Sequence, residues 1–128
     1  MIKNSILASV GGGIGAILRY GLNQWIPYAV IPWTTLLINV IGSFVLAFLT
    51  FSLFQDTRYS KLKLFVGTGL CGGFTTMSTF ALETVKLLNT YPAAALLYTM
   101  LTLFIGVGMS FAGMAAASRW SRRREVLK

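Results

Sequence analysis

The residues most able to do chemistry are Gly72-Gly73-Phe74-Thr75-Thr76-Met77-Ser78-Thr79-Phe80, where four hydroxyls fall within five positions behind a glycine pair. Four hydroxyls so close together cover every face of a helix, so they cannot all face an apolar surrounding. Two readings are open. In one the helix breaks, and its freed carbonyls coordinate a small hard cation such as sodium, because a break at membrane depth persists only where protein or a lined cavity satisfies its backbone groups. In the other the helix is regular and the hydroxyls bond back to their own preceding turn. Elsewhere Asn39 and Ser43 are four apart and share one helix face, as do Tyr98 and Thr102. Arg19 lies several turns into an apolar stretch, where an arginine at a helix centre costs about 2.5–3.5 kcal/mol on insertion scales. It must face a vestibule, a partner or an interface, or snorkel to the end of its helix. These groups are mainly hydrogen-bond donors: an amide, hydroxyls, a phenol and a guanidinium. The rings of Phe74 and Phe80 add positively polarised edges, and no acid lies within the apolar stretches before Glu83. Such a lining suits a small anion that accepts strong hydrogen bonds.

The same inventory excludes much else. There is no histidine, so no histidine triad and no imidazole metal ligand. Cys71 is the single cysteine, which removes any disulfide framework or Cys-x-x-Cys site within the chain. The acids Asp56, Glu83 and Glu125 are too far apart in sequence to suggest a carboxylate pair. A hydrolase is not expected, and the chain reads as a non-enzyme.

The elements that hold these residues are apolar. Of 128 residues, 55% are hydrophobic and 11% charged, against about 25% charged in a soluble domain; the mean hydropathy is +0.72. The net charge of +8 does not point to nucleic acid, because most bases lie between or beyond long apolar runs. Charge and proline divide the chain into four spans of about 20 residues or more, as a bilayer requires. They cover about 5–26, 33–54, 62–88 and 92–118, and a basic tail follows over 119–128. Pro27 and Pro32 end the first helix and start the second, since proline lacks an N–H and fits a first turn. The lysine and apolar run at the N-terminus lack a convincing cleavage site and read as a retained first helix. Gly11 with Gly15, and Gly69 with Gly73, are small-xxx-small pairs that let helix backbones approach closely in lipid. The expected architecture is an all-α membrane protein, one four-helix domain over 1–128 with polar groups at mid-span.

Gly12-Gly13 with Gly15-Ala16 and Arg19-Tyr20, then Asn39-Val40-Ile41-Gly42-Ser43-Phe44, then the third-span run from Gly72 to Phe80 with Glu83, resemble the Fluc (CrcB) fluoride channel family. The match follows the family's order across all four spans. The resemblance implies a four-helix subunit, broken in the third helix, that pairs as an antiparallel dimer in the cell inner (plasma) membrane. Its ligand is fluoride, which crosses passively down its gradient and so leaves the cytoplasm. Carried over by motif, Asn39 is similar to the pore-lining amide and Arg19 to the vestibule arginine. Phe80 resembles the second phenylalanine of a pair whose ring edges contact fluoride, with Ser78 and Thr79 the polar residues between that pair. The carbonyls of Gly72 and Thr75 match the ligands of a structural sodium ion at the dimer centre. Tyr98 and Thr102 resemble the polar track of the fourth helix. Glu83 either lines the fluoride path or pairs with Lys86.

One position departs from the pattern. The family has phenylalanine at both ends of Phe-Ser-Thr-Phe, whereas this chain reads Met77-Ser78-Thr79-Phe80, and methionine is polarisable but has no aromatic edge, so either Met77 weakens the fluoride site or this subunit leaves that contact to a partner. The charge map bears on that difference. With four spans, one side holds Lys3, Arg58, Lys61, Lys63, Arg119, Arg122, Arg123, Arg124 and Lys128, and the other holds Lys86, with Arg19 if it reaches that interface. The positive-inside rule then puts both termini in the cytoplasm. A pair of identical opposed subunits needs each chain to insert both ways, which this bias disfavours. The expectation is therefore an oppositely oriented paralogue as partner, supplying the missing ring. Rival readings are a small multidrug exporter, which needs a carboxylate that the first helix lacks, and a structural subunit of a membrane complex.

Overall fold

The computed structural model describes residues 1–27, 29–53 and 55–127. Phe54, the expected end of the second span, and Lys128, the last base of the tail, lie outside the described residues. Helix α1 is Ile2–Trp25. It closes on Ile26, whose N–H reaches the Leu22 carbonyl, and Pro27 cannot extend it. Helix α2, Trp33–Ser52, begins directly after Pro32. The connection to the third span is organised by Asp56, whose carboxylate accepts from the Arg58 N–H and pairs with the Arg58 guanidinium at 2.8 Å. That arginine holds the Asp56 carboxyl below the usual carboxylate range, chiefly through its side-chain hydrogen bond.

The third span is two helices. Helix α3 covers 60–74, with wide π-type turns over Lys63–Cys71, and α4 is Met77–Thr90. Between them Thr75 and Thr76 are extended, Thr75 with ψ of 158° and Thr76 with φ of −151°. The break expected in this span thus falls on the two threonines, and the glycine pair before them stays helical. Helix α5, Pro92–Val126, has 35 residues without interruption. The segment expected as a basic tail is therefore helical through Val126, because nothing between Ala115 and Val126 breaks a helix: there is no proline or glycine, and arginine is a good helix former.

Helices α1, α2 and α5 are each long and apolar enough to cross a membrane. The packing partners are α1 with α3, and α2 with α5. The first pair is set by the glycines. A Cβ on Gly15 would collide with the Leu70 carbonyl, and one on Gly73 with the backbone of Gly12, so a larger residue would force the helices apart. The core is small, with Leu36, Val40, Leu87, Ala95 and Tyr98 at its centre. Phe104 is 74% exposed and Phe111 64% exposed, an arrangement that suits hydrocarbon rather than water.

A broken helix beside a small cavity

The break is held by α2. Asn39 Nδ2 donates to the Thr76 carbonyl at 3.1 Å, and the Thr76 N–H donates to Asn39 Oδ1 at 2.9 Å. One amide side chain thus satisfies both backbone groups of an extended residue, as a neighbouring strand would. Thr76, only 6% exposed, also caps α4. Its Oγ1 accepts from the Thr79 N–H at 3.1 Å, bonds the Thr79 hydroxyl at 3.0 Å and shares a hydrogen bond with Ser78. Threonine is a favoured N-cap for this reason. Thr75 behaves differently: its hydroxyl and N–H both return to the Cys71 carbonyl.

These bonds divert two donors. In an unbroken helix the Thr76 N–H would close on the Gly72 carbonyl, and the Thr79 N–H on the Thr75 carbonyl. The first goes to Asn39 and the second to the Thr76 hydroxyl. The two carbonyls expected from the resemblance to hold sodium are thus among those that the break separates from their helical donors. The donor set, neutral carbonyl oxygen, fits a hard monovalent cation. Among the described residues no group of three His, Cys, Asp or Glu could hold a metal, so any ion at the break would rest on such oxygens.

Beside the break lies a cavity of about 260 Å³ lined by Asn39, Ser43, Met77, Phe80, Thr102 and, from α5, residues between Leu103 and Ser110. Four of the expected site residues meet there: Asn39, Met77, Phe80 and Thr102. Met77, at the position that departs from the family pattern, is 73% exposed. The Thr102 hydroxyl bonds the Tyr98 carbonyl at 2.7 Å, and Ser43 bonds the Asn39 carbonyl at 2.7 Å, which fixes both side chains on their helices.

Tyr98 stands one helical turn deeper and is fully buried. Its ring tilts at 45° against Phe80, with centroids 5.3 Å apart, within the range of a favourable aromatic pair. Its hydroxyl donates to Glu83 Oε2 at 2.9 Å, and Thr35 donates to Glu83 Oε1 at 2.9 Å. Both Glu83 oxygens are therefore engaged by hydroxyls, and Lys86 makes no ion pair with it; among the described residues the one salt bridge is Arg58–Asp56. Glu83 and Lys86 do border a second cavity of about 530 Å³ near Pro32 and Tyr91.

Not every expected residue joins the cavity. Ser78 and Thr79 turn to the Thr76 cap. Arg19 is half-buried on α1, its carbonyl bonded by Asn23, and it borders neither cavity. Two residues that matter were missed as site residues. Thr35 was detectable as the residue four before Asn39, which extends the Asn39–Ser43 face by a turn. Thr76 carries a capping signal, a hydroxyl residue three before a second threonine, but four hydroxyls within five positions hide which one caps.

Three long apolar helices, a helix interrupted beside them, and a small, mostly apolar cavity that holds the Asn39 amide at the interruption define a small multi-pass helical membrane protein with a broken-helix site. The profile of the family described as "CrcB-like protein, Camphor Resistance (CrcB)" matches residues 6–114, and the chain belongs to the CrcB family. It is 40% identical over 124 residues to "Fluoride-specific ion channel FluC 2" of Halalkalibacterium halodurans, covering 97% of this chain and 92% of the relative. It is 46% identical over 110 residues to the Bacillus subtilis protein of the same name, covering 86% and 84%. It is 42% identical over 118 residues to "Fluoride-specific ion channel FluC" of Methanopyrus kandleri, covering 90% of each.

Proposed function

We propose that this chain is a subunit of a fluoride-specific channel and not an enzyme, passing fluoride down its electrochemical gradient out of the cytoplasm and so relieving its toxicity. The observation that carries the reading is the 260 Å³ cavity in which Asn39, Phe80 and Thr102 converge beside the break. Fluoride is small and strongly hydrated, so a path for it must replace water with donors. Asn39 spends one N–H on Thr76 and keeps a second on the same nitrogen. Phe80 has an aromatic edge, and its ring is held by Tyr98. Names of relatives that align over most of the chain support the same reading.

The site is open on one subunit, with Met77 largely exposed at its edge. An antiparallel partner would close it, and nine bases on one side favour an oppositely oriented paralogue that supplies the missing ring. The same charge map puts both termini in the cytoplasm. Spans near 5–26, 33–54, 62–88 and 92–118 make 1–128 one membrane domain. A sodium ion, when bound between two subunits, would screen the carbonyl dipoles of the facing breaks. Gly72 and Thr75 would hold it through their carbonyls. Arg19 would gather anions at a vestibule, and Ser78, Thr79, Tyr98 and Glu83 would shape and support the path.

The test is passive efflux from liposomes containing the purified protein, alone and with any paralogue, read by a fluoride electrode. Fluoride release with no chloride release is expected. No release from either preparation overturns the channel reading. A reporter fused to the C-terminus tests the partner: one orientation only is expected, and equal reporting from both sides of the membrane overturns the unlike pair.

A further inference from the structure

Helix α5 is too long for the bilayer it crosses. Its 35 residues extend about 50 Å at the helical rise, against about 30 Å of hydrocarbon, and the last turns carry the densest charge in the chain. Those turns have two faces. Gly113 and Ala117 are buried against the bundle, and the same face continues at steps of three and four through Trp120 and Arg124. Both of these border a cavity of about 210 Å³ opposite Asp56, Arg58 and Tyr59 of the α2–α3 connection. Arg124 lies over the Trp120 ring, 5.8 Å from its centroid.

The opposite face is exposed along its whole length. Phe104 and Phe111 lie on it seven residues apart, and Arg122 follows eleven residues after Phe111. Spacings of seven and eleven return to one side of a helix within about 20°. Arg119, three before Arg122, lies about 60° round the helix from it, and Arg123 about 100° round on the same side. All three are exposed, and none has an acidic partner among the described residues. An outward apolar stripe therefore ends in Arg122, with Arg119 and Arg123 exposed beside it, at the level where the apolar stretch of the helix gives way to charge. Trp120 sits at that level, as interfacial tryptophans do.

We propose that Arg119, Arg122 and Arg123 form a binding site for the headgroups of anionic phospholipids in the leaflet around the basic end of α5. Charge complementarity selects the occupant: three unpaired guanidiniums form a row of forked donors for phosphate oxygens, and basic clusters beside a span attract anionic lipid. The packed face of α5 offers only Arg124, which lies over the Trp120 ring, and Arg58 across the cavity is paired with Asp56. The site does not depend on what the channel conducts.

The experiment uses the full chain in nanodiscs with Trp25→Phe and Trp33→Phe, which leaves Trp120 as the sole tryptophan. Its fluorescence is quenched by phosphatidylglycerol or phosphatidylcholine carrying brominated acyl chains at equal mole fraction. Phosphatidylglycerol is expected to bind about tenfold more strongly, and 0.5 M salt should remove the preference. Arg119→Gln/Arg122→Gln/Arg123→Gln should bring the two lipids level, and Arg122→Gln alone should give part of that loss. Lys3→Gln/Lys61→Gln/Lys63→Gln, which removes three bases of the same end from other elements, should keep the preference. Equal quenching by both lipids in the parent protein overturns the site. So does an equal loss in both triple variants, which would assign the effect to general surface charge.

Discussion

Asn39 and Thr76, 37 residues apart in the chain, are joined by two hydrogen bonds that run in opposite directions between one side-chain amide and one peptide unit. This pairing lets the helical course from α3 to α4 stop and restart. Without it the buried Thr76 N–H would stand with no partner, at a cost of about 1–3 kcal/mol, and the Thr76 carbonyl would keep only the first bond of α4.

Asn39→Ala should therefore damage stability as well as conduction. We expect a loss of about 1–3 kcal/mol, chiefly from the orphaned Thr76 N–H, and fluoride efflux reduced more than tenfold. Asn39→Asp keeps the acceptor for the Thr76 N–H but loses the donor, so it should fall between Ala and the parent. Melting of the detergent-solubilised protein and liposome efflux check both. Ala melting like the parent would mean that Asn39 does not hold the break.

Thr76→Val removes the cap of α4 while keeping the shape of the side chain. The expected cost is about 1 kcal/mol, with Thr79 losing the partner of both its N–H and its hydroxyl. Thr76→Ser should restore most of it. Thr75→Val should cost less, since that hydroxyl only doubles a bond which the Thr75 N–H already makes to Cys71. A reversed order of the two valine variants would contradict the capping role.

Glycines of one cluster should respond in opposite ways. Gly73→Ala and Gly15→Ala put a methyl into the backbone of the facing helix and should lower the melting temperature sharply or prevent folding. Gly13→Ala meets nothing within 4 Å and should be neutral or slightly stabilising, because alanine favours the helix by about 1 kcal/mol. Expression and melting of the three variants decide it.

Tyr98→Phe deletes one of the two hydroxyls on Glu83 but keeps the ring against Phe80. A hydrogen bond to a carboxylate contributes about 1.5–3 kcal/mol if the group is charged, so a clear loss of stability is expected. Thr35→Val removes the other hydroxyl. The two share one acceptor group, so their effects should be non-additive by about 0.5 kcal/mol or more. Strict additivity in a double-mutant cycle would show that Glu83 is not the link between them.

Met77→Phe should be tolerated, since the side chain is mostly exposed at the cavity edge and needs no repacking. If the partner subunit supplies a missing ring, this variant should conduct without the paralogue at a rate above that of the parent chain alone. Efflux measured on the chain by itself checks this, and an unchanged rate would count against a ring-supplying partner.

Much of this protein is determined by its sequence because the membrane constrains it so strongly. Long apolar runs have to become helices where no water can satisfy an open backbone, so composition, charge gaps and Pro27, Pro32 and Pro92 suffice to place the long helices. The small-xxx-small pairs foretell where α1 meets its neighbour, since only glycine permits that approach. Asn39 and Phe80 stand out because polar and motif residues are conspicuous against an apolar ground. Other features depend on bonds between distant segments. A run of four hydroxyls looks equally able to back-bond in a regular helix, and the choice of Thr75–Thr76 as the break is made by an amide 37 residues away. Glu83 has Lys86 close in sequence, yet it takes Thr35 and Tyr98 from two other helices. Local pattern ranks neighbours by spacing, whereas a buried polar group takes whichever partner the packing brings within about 3 Å, and that choice belongs to the tertiary structure.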